Sequence, residues 1–254
     1  MVHINSKLVS MRGAEELIYG TMAHEFQHLI CGTDYFSTYG DGISCRTWLN
    51  EAMSGYIEEA LYSGSKETAG HYESFLESKL IRNGQSMYNF STTSRDIGVY
   101  GSVYYFSEYL ANLAGTKVFS KIHEYWRDSY SKTLCEAEAI VNSVSKSVKN
   151  KIEKTVTYPK TLKFDNDDEE WMSKLVLDFY LDMLSNKSKI SAFGNIEPDE
   201  LLYDDIDGAD IEGGGRLIIA VKDTTFEIPE DADDGLIYIG LDKNFKPVTD
   251  YVYK

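Results

Sequence analysis

The stretch "TMAHEFQHLICG", residues 21–32, decides how the rest of the chain is read. His24 and His28 stand four positions apart, with Glu25 directly after the first. Residues at i and i+4 of an α-helix share a face, one turn apart. Leu17, Ile18, Met22, Phe26, Leu29 and Ile30 recur at helical spacing, which predicts a helix from Glu15 to Ile30 that Gly32 stops. On such a helix two imidazole nitrogens can reach one metal ion. Glu25, rotated by about 100° from His24, leaves the ligand face but stays near any water on the metal, whose proton it can take. The chain has five histidines, so chance is a poor account of two at this spacing around a glutamate, and the pattern reads as a zinc helix. Phe26, Leu29 and Ile30 are expected to bury that helix beside the metal.

A catalytic zinc keeps three protein ligands and one open position. The third ligand is sought in "TWLNEAMSGYIEE", residues 47–59, within a helix expected from a Ser44 cap to about Tyr62. Glu51 sits there among Trp48, Leu49, Ala52, Met53 and Ile57. A carboxylate on so apolar a helix is costly unless it is paired or metal-bound. His71, His123 and His3 are its rivals and would make a three-histidine site. The metzincin pattern is excluded, because no histidine follows at its required offset.

Together, "HEFQHLI" and "WLNEAMSGYIEE" resemble the gluzincin metallopeptidases, and among them the hyicolysin family of secreted bacterial neutral zinc peptidases. "WLNEAMS" is also similar to a segment of zinc aminopeptidases. The likeness covers roughly residues 15–60 and continues more weakly through "YGSVYYFSEYLANLAG". It implies a thermolysin-like zincin body, one catalytic zinc held by His24, His28 and Glu51, and Glu25 as general base. It also implies a peptide or protein substrate and a secreted, extracellular bacterial location. Thermolysin-like enzymes place an Asp four residues after the third ligand to orient a histidine. Gly55 stands there, so another group must take that part; Asn50, Ser54 and Glu58 are the nearest candidates, Glu58 being equally readable as a solvated helix residue. The amine-holding segment of aminopeptidases is not found in "MRGAEEL".

Gluzincins also add a Tyr or His from a later helix to stabilise the oxyanion. "RDIGVYGSVYYF" offers Tyr100, Tyr104 and Tyr105, with His71 and His123 as further choices. Tyr100, at the start of its helix, is the one expected to reach into a cleft. The leading reading is a zinc endopeptidase. Its alternatives are a catalytically inactive peptidase-like binding module, which would have no reason to keep Glu25, and a zinc aminopeptidase.

The wider sequence limits the other classes. A formal net charge of −16 over 254 residues disfavours nucleic acid and anionic membranes as partners. No apolar run approaches the roughly 20 residues of a membrane span. "MVHINSKLVSMRG" lacks the apolar core of a signal peptide. The three cysteines, Cys31, Cys45 and Cys135, form no disulfide framework, though Cys31 and Cys45 could pair across a folded-back loop. Asp204 to Asp210, "DDIDGAD", has alternating carboxylates that suit calcium, but the closing glutamate is missing and a solvated acidic loop is favoured.

The expected class is α+β. A short strand is read at "MVHINSKL" and helices at 66–82, "VYGSVYYFSEYLANLAG", "VFSKIHEYWRDSY", "TLCEAEAIVNSVS" and "DDEEWMSKLVLDFYLDML". These make a catalytic domain over 1–190. "RLIIAV", "TTFEIP", "GLIYIGL" and "PVTDYVY" make a small, non-catalytic β-rich domain over 191–254.

Overall fold

The computed structural model describes residues 7, 10, 15–39, 47–62, 86–88, 98–128, 136–184, 211, 215, 217, 219 and 236–253. These residues are mostly helical: α1 (Glu15–Tyr39), α2 (Thr47–Leu61), α3 (Gly98–Ala114), α4 (Lys117–Asp128), α5 (Glu136–Ser143), α6 (Lys146–Ile152) and α7 (Asp167–Leu184). Two strands follow, β1 (Tyr238–Leu241) and β2 (Pro247–Tyr253), paired antiparallel with Tyr238 opposite Tyr253. No described helix is long and apolar enough to cross a membrane.

The site is positioned by a stack of helices. α2 lies between α1 and α3, and α4 joins α3 to α5, which rests on α7. Trp48, Leu49, Ala52 and Met53 of α2 are buried, as are Val103, Phe106 and Leu110 of α3. Trp48 meets Phe106 edge-on at 5.9 Å, and Phe106 meets Phe179 of α7 at 5.7 Å. Edge-to-face packing of this kind suits the ring quadrupoles and fixes one arrangement of the helices. "VYYFSEY" is thus core: Tyr104, Tyr105 and Phe106 are all buried.

Helix ends follow local chemistry. Gly115 adopts φ 85° just past α3, and its N–H donates to Ala111 O at 2.8 Å, a left-handed cap that glycine takes without strain. Asn166 Oδ1 accepts from Glu169 N at 3.0 Å ahead of α7, whose first turn carries four acids facing the helix dipole. In the hairpin, Asp242 Oδ1 accepts from Asn244 N at 2.7 Å and Lys246 N at 2.9 Å, holding its carboxyl below the usual range.

Several expectations change. α1 does not stop at Gly32 but continues to Tyr39 through the segment read as a loop. An interior glycine costs only about 1 kcal/mol relative to alanine, and a glycine stops a helix most readily in the left-handed backbone that Gly115 alone shows among the described glycines. Helix α6 escaped the sequence reading because it is short and its only buried residue is Ile152. Phe26, Leu29 and Ile30 do not bury α1: they are 58%, 48% and 43% exposed. The reason is rotational, since α2 takes the opposite face, where Gly20, His24, Gln27, His28 and Cys31 sit.

Lys7, the one described residue of "MVHINSKL", is helical rather than extended. Outside the described residues lie the 66–82 helix, "TTFEIP", the Ser44 cap, Asp204 to Asp210, Cys45, Cys135 and four residues of "RLIIAV", whose described Leu217 and Ile219 are not in a strand. Leu241 and Phe245 of the hairpin pack against the helical core.

Candidate metal centre

α1 and α2 face each other along their polar positions. His24 and His28 are one turn apart on α1, and Glu51, Ser54 and Glu58 recur at i, i+3 and i+7 on the facing side of α2. His24 Nε2 lies 3.1 Å from Glu51 Oε2 and 3.1 Å from His28 Nε2, and His28 Nε2 lies 3.4 Å from Glu51 Oε2. These three residues form the one metal-competent cluster found among the described residues. Ligands on a tetrahedral zinc with bonds of about 2.0–2.1 Å stand about 3.3–3.4 Å apart. The observed edges of 3.1, 3.1 and 3.4 Å come within about 0.3 Å of that spacing, so the donor set fits a zinc ion after a small adjustment.

The other imidazole nitrogens are also engaged. His24 Nδ1 faces Glu58 Oε2 at 3.3 Å. His28 Nδ1 meets Ser54 Oγ at 3.0 Å, and the Ser54 hydroxyl donates to Gln27 Oε1, whose amide in turn donates to Cys31 Sγ at 3.0 Å. With Nδ1–H donating outward on both rings, both Nε2 lone pairs turn inward, the tautomer a metal needs.

The electrostatics favour positive charge between the donors. Burial alone would lower His24, but hydrogen bonds to Glu51 and Glu58 outweigh it and raise the imidazole to about 9. His28 is raised above its usual value on the same balance, with Glu51 as its acid partner. Burial would raise Glu51, yet its bonds to the two histidines hold it at about 2. A cation entering the triangle displaces those protons.

Glu25 is exposed, off the ligand face of α1. Tyr100, half-buried in the first turn of α3, has its phenol raised by burial and by the charges of Glu51 and Glu25, so both carboxylates act on it. Tyr104 belongs elsewhere. It lines a separate cleft of about 250 Å³ with Tyr56, Glu59, Glu108, Asn112 and Thr116, where its hydroxyl bonds Glu108. No histidine lines that cleft. Tyr105 is buried in the core, and His123 of α4 does not join the cluster. His3 and His71 lie outside the described residues. Gln27 was not singled out in the sequence: its partnership with Ser54 depends on how closely α1 and α2 approach.

Comparison with known proteins agrees in kind. The chain is similar to the neutral metalloprotease ShpI of Staphylococcus hyicus, 26% identical over 140 residues. That match covers 54% of this chain and 30% of the relative's length. No family model matches the chain, and no solved structure does.

Proposed function

We propose that this chain is a zinc-dependent peptidase of the gluzincin type, related to the hyicolysin family, that hydrolyses internal bonds of peptides or proteins. The observation that carries it is the triangle of His24 Nε2, His28 Nε2 and Glu51 Oε2, at 3.1, 3.1 and 3.4 Å. The name of the staphylococcal relative supports the same chemistry. A zinc ion bound there would supply Lewis acidity for the scissile carbonyl and for a water. His24, His28 and Glu51 would hold it, with Ser54 at the second nitrogen of His28. Glu25, on the open side of α1, accepts the proton of the attacking water and returns it to the departing amine. Tyr100 donates its hydroxyl proton to the oxygen that gains charge as the carbonyl is attacked. The hairpin of β1 and β2 contributes no donor, and the C-terminal unit over 191–254 is non-catalytic. The extracellular location rests on the sequence resemblance.

Casein hydrolysis by the purified protein tests the reading. Activity should vanish with a chelator and return with zinc. A metal-free protein that still cleaves casein, or a zinc-loaded one that never does, contradicts it. Cleavage of unblocked aminoacyl chromogenic substrates in place of casein would select the aminopeptidase alternative.

A further inference from the structure

The mutual placement of Glu58, His24 and Gly20 has a use beyond holding two helices together. Glu58 is 4% exposed, deep between α1 and α2. Leaving a carboxylate there is unfavourable unless it has a partner of matching charge or hydrogen-bonding capacity. Its Oε2 lies 3.3 Å from His24 Nδ1, the nitrogen that faces away from Glu51. Glu58 stands seven residues after Glu51, two turns along the same face of α2, so one helix presents both carboxylates to the two nitrogens of one imidazole. Room for the longer reach comes from α1. A Cβ at Gly20 would stand 3.2 Å from both Glu58 Cγ and Glu58 Oε1. Gly20 is also one turn before His24, so the space and the ring it serves share a helix face. A glycine inside a helix is disfavoured by about 1 kcal/mol relative to alanine, and the close approach of Glu58 gives this one a purpose.

We propose that Glu58, seated in the space left by Gly20, is the positioning residue for His24: it fixes the Nδ1–H tautomer and the ring plane, and so sets metal affinity. The inference rests on the metal-centre reading above. It differs in naming a residue that never touches the metal and a glycine that makes its seat. Carboxylates that accept the outer N–H of a ligating histidine raise its basicity, and their loss typically weakens metal binding about 10–100-fold.

The test is zinc affinity of the full chain by competition with a chromophoric chelator, read beside the visible absorption of the cobalt-loaded protein. Glu58→Gln should keep its fold, weaken zinc about 10–100-fold and alter the cobalt bands, because the ring is held differently. Gly20→Ala leaves Glu58 chemically intact but crowds it at 3.2 Å, so that its side chain must shift by a few tenths of an ångström from the ring it serves. It should also weaken zinc and alter the bands, and it decides the matter if Glu58→Gln does not fold. Zinc affinity within about twofold of the parent in both variants, with unchanged cobalt bands, overturns the proposal while the metal centre stands. A parent protein that binds no zinc at all overturns the metal-centre reading, and this inference with it.

Discussion

Two polar clusters among the described residues are built on opposite principles. Between α6 and α7, Lys174 is 5% exposed and its ammonium is held by Glu153 at 2.8 Å and Glu170 at 2.7 Å. Nearby, Asp178 accepts from Tyr109, from Lys151 at 3.3 Å and from Thr155 at 3.1 Å. There each cation or hydroxyl meets an acid, and the cluster is complete in itself. Between α1 and α2, Glu51 is paired with two imidazoles, whose Nε2 atoms face each other at 3.1 Å. Three lone-pair groups converge on one point. A cluster that closes on itself serves the fold, whereas acceptors that converge on one point offer a place for a cation.

The widest separation between them should come from His28→Ala. It removes one corner of the triangle and should abolish stoichiometric zinc and all casein hydrolysis, as measured by metal analysis and peptide release. Retention of one zinc per chain would dissolve the contrast. Glu25→Gln comes next, because it removes the proton acceptor and no ligand. Hydrolysis should fall about 10²–10⁴-fold, the usual range for a lost general base, at unchanged zinc content. Loss of zinc in that variant would show that Glu25 has been given the wrong part.

Tyr100→Phe should lower kcat about a hundredfold or more, as loss of one oxyanion donor does elsewhere, with KM and zinc content nearly unchanged. A near-normal kcat would remove Tyr100 from the site. The smallest effect belongs to the closed cluster. Burial would lower Lys174, but Glu153 and Glu170 raise it above its ordinary value. Its contribution is therefore present in full below the unfolded value of about 10.4, and is lost as pH rises through the higher folded value. Both carboxylates are substantially exposed, so Lys174→Met should cost only about 1 kcal/mol at neutral pH. It should also flatten alkaline unfolding and leave zinc binding untouched. A zinc-binding defect there would couple two regions that the structure keeps apart.

Legibility in the sequence followed the range of each interaction. The i, i+4 histidines and the glutamate between them are local, and the helix period alone placed them. Glu51 was legible because a lone carboxylate in "TWLNEAMSG" demanded a partner, and the structure brings it to both histidines. Which of Asn50, Ser54 and Glu58 would back the rings was open, since the answer depends on rotamers and on the close approach of α1 and α2 that Gly20 permits. Tyr100 was preferred to Tyr104 in "VYGSVYYF" for its place at the helix start, and the two, one turn apart on α3, meet different surroundings: one feels Glu51 and Glu25, the other bonds Glu108. The outer face of α1 misled for a related reason. Its periodicity revealed a helix, but not which side the neighbouring helix would cover.

One measurement addresses the centre of the account. Crystals of the zinc-loaded protein, recorded on either side of the zinc absorption edge, give an anomalous map that locates the ion without assumption. The account predicts a single strong peak per chain, bounded by His24 Nε2, His28 Nε2 and a Glu51 oxygen, with zinc–nitrogen distances of about 2.0–2.1 Å. A peak elsewhere, or an empty triangle with Glu51 turned away from both histidines, would contradict it.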